Sequence, residues 1–319
     1  VNIPLLHQVR LAGGAFVPYE VLGERCGFGP EGVHRDLDGL EAFGFALERH
    51  PYLGVAYRGP AERLCPDQIE FDLGTRRVGR RIAVWNRVTS TNDLAARAAV
   101  SRANEGLVVF AEEQTAGRGR RGRSWSAPPR AAILMSVLLF PPEPLADPAW
   151  LTALGAVAVS ETVSNWVGAA AAIKWPNDVR VGGLKVAGIL VERGAGAVIG
   201  IGLNVNTAPD DFPAELRRSA TSLRALLGSP VDRSELARGL IQRLDSLYED
   251  SLRDGVGVLS APWRDRSEHF GRFVSVVTPT GPVSGRLDDI DLWAGVRLTA
   301  PDGTPRQVVA RHILAIEPA

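Results

Sequence analysis

The stretch from position 148 to 203 leaves a folding chain little choice. Residues 148–167 are an apolar run at helical length and predict a long buried helix. Four shorter apolar runs follow at 173–175, 179–181, 184–192 and 197–203, and a Gly182-Gly183 turn joins two of them. Strands that succeed one another without a helix between each pair predict a mixed sheet with clustered helices, which is the α+β class.

The flanks extend that pattern. A strand is expected at 80–88. Ser90-Thr91-Asn92-Asp93 then opens an Ala-rich helix to about position 103, with Ser90 as its cap and Asp93 completing a capping box. Strands are expected at 107–111 and 133–139, and a last helix at 234–253. Between them, 206–222 is polar and proline-containing and predicts a mobile loop. Beyond position 273 the pattern changes to five short strands, at 274–278, 283–287, 296–299, around Val308 and at 313–316, with an Asp302-Gly303 hairpin turn. That density predicts a small barrel. At the other end, residues 1–65 read as helix, helix, helix and a hairpin around Gly54, the layout of a winged helix-turn-helix. Its third helix carries Glu31, Asp36, Asp38 and Glu41 against Arg35, and residues 1–64 hold six arginines against eight acids. Acids where a DNA-reading helix needs cations oppose binding to a polyanion. The expected division is therefore 1–65, a connector at 66–79, a central domain at 80–268 and a C-terminal domain at 269–319.

Of the 319 residues, 45% are apolar and 23% charged, and the formal net charge is zero. That suffices for a sizeable core and sets up no global field for nucleic acid or membrane. Cys26 and Cys65 stand alone, which fits a reducing compartment, and no apolar run reaches the roughly 18 residues of a membrane span. A cytoplasmic location is expected, without membrane association. Met135 is the only methionine, so Val1 is not an initiator and residues are expected before it.

Only two of the 36 cationic side chains are lysine, Lys174 and Lys185. A genome that favours arginine codons accounts for the scarcity but not for the clustering of the two. Lys174 stands in Lys174-Trp175-Pro176-Asn177-Asp178, where Pro176 ends a strand and leaves Asn177 and Asp178 at its end. A lone carboxylate with an amide suits a hydrated Mg²⁺, and equally an Asn-Asp turn. Lys185 is expected to share a strand face with Ala187, Ile189 and Val191, partly desolvated, where its charge acts strongly on an anion.

Gly117-Arg118-Gly119-Arg120-Arg121-Gly122 matches the dinucleotide fingerprint in letters only. Arg123-Ser124-Trp125-Ser126-Ala127-Pro128-Pro129 follows where that fingerprint needs a helix, and no acid stands about 20 positions later. The segment reads instead as a flexible anion-binding loop, in which glycine amides approach closely and Arg118, Arg120, Arg121 and Arg123 neutralise. No Walker motif, paired metal-binding histidines or Ser-His-Asp order is present.

Taken together, Ser90-Thr91-Asn92, the block from Gln114 to Trp125, Lys174 to Asp178, Lys185-Val186-Ala187-Gly188-Ile189-Leu190-Val191-Glu192 and Gly200-Ile201-Gly202-Leu203-Asn204 resemble the successive signature blocks of biotin protein ligases. The resemblance covers roughly residues 80–319, and the N-terminal segment makes it similar to the bifunctional class that also represses transcription. It implies a class II synthetase-like central domain and an SH3-like C-terminal domain. It also implies an enzyme that joins biotin to ATP as biotinyl-5′-AMP, with Mg²⁺, and passes the biotinyl group to one lysine of a biotin carboxyl carrier protein, an acetyl-CoA carboxylase subunit or similar. By motif position Ser90, Thr91, Asn92, Gln114, Gly117, Arg118, Gly119, Arg120, Trp125, Lys185 and Gly188 would hold biotin. Arg118, Arg120, Arg121, Asn177, Lys185 and Asn204 would meet the nucleotide. Lys185, Arg118 and Asp178 would serve catalysis, Asp178 also being the implied Mg²⁺ ligand. Adenylate-linked homodimerisation and biotin-responsive repression are further implications, the second set against the acidic third helix. The rivals are a lipoate or octanoate ligase, which lacks the glycine-arginine block, and a sensor with weak catalysis. An enzyme that makes an acylating adenylate also gains from exposing few amines, since fewer then react with it.

Overall fold

The computed structural model describes residues 1–319, in two compact units: 1–73 with 231–238, and 74–230 with 239–319. The first contains α1 (Ile3–Leu11), α2 (Tyr19–Cys26), α3 (Pro30–Phe43), an antiparallel hairpin of β1 (Ala46–His50) and β2 (Gly54–Gly59), and α4 (Pro66–Glu70). Asn2 caps α1 by accepting the Leu5 amide at 3.0 Å. Gly27 and Gly44 end α2 and α3 in the left-handed region. Leu5, Leu6, Val9, Leu22, Val33, Leu37, Leu40 and Val55 form the core, all fully buried. On the outside, Arg49 of β1 pairs with Asp38 and Glu41 of α3, each at 2.7 Å, and Arg58 pairs with Glu48 at 2.6 Å.

The second unit is a mixed α+β structure with two sheets. Its elements are β3 (Arg81–Trp85), α5 (Thr91–Ala98), β4 (Leu107–Ala111), β5 (Ala132–Leu139), α6 (Pro148–Val167), β6 (Ala171–Lys174), β7 (Asp178–Val181), β8 (Leu184–Arg193), β9 (Ala197–Asn204), α7 (Leu223–Leu227), α8 (Arg233–Asp254, whose first residues fall in the other unit) and α9 (Ser260–Arg266). The C-terminal strands follow: β10 (Phe273–Thr278), β11 (Gly281–Asp291), β12 (Gly295–Thr299), β13 (Pro305–Val308) and β14 (Ala315–Pro318).

The larger sheet runs β3-β4-β5-β9-β8-β7-β6; β3 and β4 are parallel and all other neighbours antiparallel. The buried helix α6 lies against it, and Gly155 permits the approach: a Cβ there would stand 3.1 Å from Ile189 of β8 and from Ile199 of β9. Ser160 fixes the end of α6 by donating to the Ala171 carbonyl at 2.6 Å. The Gly182-Gly183 turn has φ of +57° and +80°, both open only to glycine without strain.

Three local expectations need correction. The Ala-rich helix stops at Ala98, because Ser101 accepts the Ala103 amide and starts a separate single turn. The chain then bends at Gly106, where a Cβ would strike the Arg77 carbonyl at 1.8 Å. Ser90 stands at the N-cap of α5 without a capping side-chain bond, and Asp93 points to Arg118 instead of closing a capping box. Strand β8 does not alternate strictly: a register shift between Val179 and Arg180 of β7 sets Val179 opposite Ala187 and Arg180 opposite Lys185. One residue is gained, so Lys185 leaves the Ala187 and Ile189 face and comes beside Gly188.

The smaller sheet runs β13-β12-β11-β10-β14, all antiparallel, with the last strand beside the first. Val274, Val276, Leu287, Val296, Leu298 and Ile316 form its core, against which Trp175 packs. The connector before β3 is held by Asp245 of α8. Its carboxylate, 6% exposed, accepts the amides of Arg76, Arg77 and Val78, each at 2.8 Å. Hydrogen bonds to a charged group contribute about 1.5–3 kcal/mol each. Asp245→Ala leaves three amides without this acceptor and is expected to lower unfolding free energy by about 3 kcal/mol, read as a drop in the urea midpoint at unchanged m-value.

Candidate functional site

A cleft of about 440 Å³ opens over the face of the large sheet opposite α6. Its floor is made by missing side chains. Ile199, Ile201 and Leu203 of β9 alternate with Gly200, Gly202 and Asn204, so the face turned to the cleft carries two glycines in succession. A Cβ on Gly200 would come within 2.3 Å of the Asn92 amide oxygen, and one on Gly202 within 2.3 Å of the Trp125 ring. Gly188 of β8 completes the floor, 3.2 Å from both Trp125 and the Lys185 amine by the same measure. The Trp125 indole therefore lies on two strands, with Nε1 buried and unpartnered.

The N-terminus of α5 supplies a buried polar wall of Ser90, Thr91 and Asn92. Gln114 accepts from the Thr91 amide at 2.8 Å and from its hydroxyl at 3.0 Å, which directs the Gln114 side-chain oxygen inward. Ser136 of β5, fully buried, donates to the Asn92 oxygen at 2.6 Å and stands 2.7 Å from the Thr91 hydroxyl. Asn92 in turn donates to Glu192 at 2.7 Å. With the Thr91 and Asn92 groups so engaged, the donor side of Gln114 and the Ser90 hydroxyl remain for a polar ligand head.

The glycine-arginine segment folds into a hydrogen-bonded turn. Gly119 donates to the Arg123 carbonyl at 2.7 Å and Trp125 to that of Gly117 at 2.9 Å, with a single turn at 120–122 whose Arg121 has φ of +56°. Gly117 lies behind the lining, where a Cβ would meet the Trp125 carbonyl at 2.4 Å. Gly119, Arg120, Arg121 and Arg123 line the cleft. Arg118 also reaches it but is bound by Asp93 at 2.7 Å and Glu192 at 3.0 Å. These bonds hold the Asp93 carboxyl below its usual range and raise Arg118, Asp93 being the larger cause. Arg120 makes one contact, 3.4 Å to Asn177, and its pKa is lowered by desolvation and by the Arg121 charge. Arg121 donates to the Leu314 carbonyl at 3.0 Å, so the C-terminal sheet bounds the cleft too.

Lys185, carried onto the cleft face by the bulge, places its ammonium 2.7 Å from Asp178 and 5.5 Å from the Trp125 ring centroid. Segment 206–222, expected to be a mobile loop, is tied to this lysine. The Lys185 amide donates to the Ser219 carbonyl and the Thr221 amide to the Lys185 carbonyl, each at 2.8 Å. Asn204, 5% exposed, donates to the Thr221 carbonyl at 3.1 Å. Lys174, cross-strand from Asp178, lines the same cleft, as does Arg180, which pairs with Glu268 at 3.5 Å. Asn177 donates to the Ile189 carbonyl at 3.0 Å. Asp178 faces an ammonium and Asn177 a guanidinium, and no group of three potential ligands converges. The donor set does not make a resident metal cage; it suits a polyanion, which brings its own counter-ion.

Every sequence block thus meets in one cleft. The sequence did not single out Ser136, whose signal was a lone hydroxyl in the apolar run of β5, nor the pairing of Asp93 and Glu192 with Arg118. Leu314, Ala315 and Glu317 from the C-terminal sheet were also missed. A second cleft, between α6, α8 and α9, contains none of the expected residues, and its Glu161 is neutralised by Arg243 and Arg266. Chemically, the first cleft offers a flat floor under an aromatic ring, a small polar end, and a cationic rim with one carboxylate-held amine. It fits a ligand with an apolar ring, a hydrogen-bonding head and an anionic tail.

Residues 84–206 match the biotin/lipoate A/B protein ligase family. The chain is 32% identical over 293 residues to the Bifunctional ligase/repressor BirA of Bacillus subtilis, spanning 90% of each protein. It is 38% identical over 242 residues to the Biotin--[acetyl-CoA-carboxylase] ligase of Mycobacterium tuberculosis, spanning 72% of this chain and 89% of that one. Among solved structures, the biotin protein ligase from Aquifex aeolicus in complex with biotin and ATP has the same fold, with a TM-score of 0.66 and 24% identity over 75% of this chain and all of that one.

The floor is testable without any ligand. Gly202→Ala puts a methyl inside the seat of Trp125 and should lift the indole towards solvent. The expected outcome is a gain in acrylamide quenching relative to the parent protein, absent when the two are compared in a Trp125→Phe background.

Proposed function

Because this chain belongs to the biotin protein ligase family, we propose that its cleft joins biotin to ATP and passes the biotinyl group to one lysine of a biotin carboxyl carrier protein. The observation that carries this reading is the convergence of Lys185, the glycine-arginine turn, Gln114 and the glycine floor on one cleft. The fused rings of biotin lie against the Trp125 indole, which itself rests on Gly188 and Gly202. The ureido head meets the donor side of Gln114 and the Ser90 hydroxyl, and Thr91, Asn92 and Gly117 shape that end. The tail carboxylate runs to Lys185. A ligand with a dithiolane in place of the ureido ring has no use for this polar end, which favours biotin over lipoate.

The carboxylate oxygen attacks the α-phosphorus of ATP, a new P–O bond forms, and pyrophosphate leaves with the electrons of the old one. Lys185 bridges the two anions that must approach, where water would leave them to repel. Arg120, Arg121 and Gly119 line the phosphate end, and Arg118 roots the turn that covers it. Asn204 and 206–222 border the nucleotide, with Asn177 at its other side. Magnesium enters as the counter-ion of the triphosphate, and no protein residue is assigned to it alone. In the second step the carrier lysine amine attacks the acyl carbon, the C–N bond forms and AMP departs. Asp178, held by Lys185, is placed to take the proton.

The domain division is 1–65, 66–79, 80–268 and 269–319, with a winged helix-turn-helix first, a class II synthetase-like centre and an SH3-like end. The reaction consumes ATP and belongs in the cytoplasm; no helix is long and apolar enough to cross a membrane. Dimerisation when the adenylate is bound accompanies this reading, as in a ligase that reports biotin supply. Repression is the second reading, favoured by the three helices and hairpin of the first unit. Against it stand the acids of α3, which already hold Arg49.

Lys185→Arg keeps the charge but replaces a compact ammonium by a planar fork. It should lower biotin-dependent pyrophosphate release by about 10²-fold or more, as loss of one preorganised donor does; near-normal release would overturn the assignment. Transfer of labelled biotin to a purified carrier domain, resisted by excess unlabelled biotin but not by lipoate, tests the whole reading. In a gel shift on the DNA upstream of its own gene, at about 0.15 M salt, no discrete complex is expected, and a salt-resistant one would show the operator binding that repression requires.

A further inference from the structure

The sheet order β9-β8-β7 sets a row of three side chains across the open face. Gly202 stands opposite Gly188 and Leu203 opposite Ala187, which brings Asn204 level with the start of β8; on the other side Lys185 stands opposite Arg180. Asn204, Lys185 and Arg180 all line the cleft, on strands about 4.8 Å apart. Asn204 is joined to Thr221, so Arg180 occupies the flank of Lys185 away from that segment. It is held there from the sheet edge. Nη1 donates to the Gly183 carbonyl at 3.1 Å and to Glu268 at 3.5 Å, which leaves Nη2 for a ligand. Glu268 is fixed by its own amide, which donates to the Ile173 carbonyl of β6 at 2.9 Å, and its carboxylate reaches across Ala172, the short residue opposite Arg180. Burial pushes the adjacent His269 below its usual range, so at neutral pH it is uncharged and leaves the Glu268 charge to Arg180. Lys174, Arg180 and Lys185 stand against Asp178 and Glu268, and this flank keeps net positive charge.

We propose that Arg180 binds the β- and γ-phosphates of ATP and the pyrophosphate they become, and that Glu268 is the positioning residue that aims it. The inference rests on the ligase reading and adds a residue to it. With the nucleoside bordered by Asn204 and 206–222 and the α-phosphate at Lys185, the remaining phosphates continue along the row to the next strand. When the bond from the α-phosphorus to its bridging oxygen breaks, the electron pair and the negative charge go to the departing pyrophosphate. A guanidinium fixed along one edge by a carbonyl and a carboxylate offers its other edge to that charge without having to be ordered first.

The probe is magnesium pyrophosphate, titrated by calorimetry into the full chain. Arg180→Ala is expected to weaken its binding by about tenfold or more, as loss of a hydrogen bond between charged groups does. The KM for ATP should rise alongside, while the Kd for biotin alone keeps its parent value. Glu268→Gln should weaken pyrophosphate in the parent protein but not in an Arg180→Ala background, since it acts only through the arginine. Unchanged pyrophosphate affinity in Arg180→Ala overturns the assignment, and so does an equal weakening of biotin, which marks a general disturbance of the sheet. Additive losses in the double variant overturn the role of Glu268. Should the parent protein release no pyrophosphate from ATP and biotin, the ligase reading fails, and the direct titration still decides whether Arg180 binds that anion.

Discussion

Everything at this site depends on a strand rule and its one violation. In β8 and β9 the side chains at 187, 189, 199, 201 and 203 turn to the interior, where Ile189 and Ile199 meet α6 at the notch left by Gly155. The opposite face must then be nearly bare for a cleft to exist, and Gly188, Gly200 and Gly202 make it so. Strict alternation would have placed Lys185 with the interior residues, where an ammonium is costly. The extra residue in the β7 to β8 pairing carries it to the open face, 2.7 Å from Asp178. A single bulge thus lets a largely apolar strand present an ammonium to the cleft.

The long helix, the four strands and the Gly182-Gly183 turn were legible because local rules decide them: periodicity, run length, and a turn only glycine fits. The signature blocks were legible too, as letters. Their geometry was not. The bulge depends on the register of a neighbouring strand, and nothing in 184–192 alone announces it. Asp93 has the spacing of a capping box, a local pattern, yet its carboxylate is captured by Arg118, 25 positions away. Long-range charge overrides short-range capping here. The Leu314 contact is made through a backbone carbonyl, which leaves no trace in residue type. In the first unit the acids read on the third helix lie on its surface, where Asp38 and Glu41 together hold Arg49.

The arginines of the cleft divide by what they face. Arg118 and Arg180 pair with carboxylates, whereas the hydrogen bonds of Arg120 and Arg121 go to an amide oxygen and a carbonyl. The Arg121 charge presses on Arg120 and Asp178 partly offsets it, and an anion in the cleft would relieve the rest. Trp175 serves a different purpose in the same wall. It packs into the core of the smaller sheet and lies edge-on to Trp263, joining the two sheets beside the residues that follow it in sequence, Asn177 and Asp178.

The segment at 219–221 is joined to the lysine strand by two backbone hydrogen bonds, one on each side of Lys185. Each contributes about 1 kcal/mol net. Lifting that segment and loosening the lysine are therefore a single event with a single free energy. By thermodynamic reciprocity, if closing the segment changes what Lys185 binds, binding at Lys185 changes the closing of the segment by the same factor. The segment and the strand are thus one mechanical unit, joined by a ladder only two rungs long.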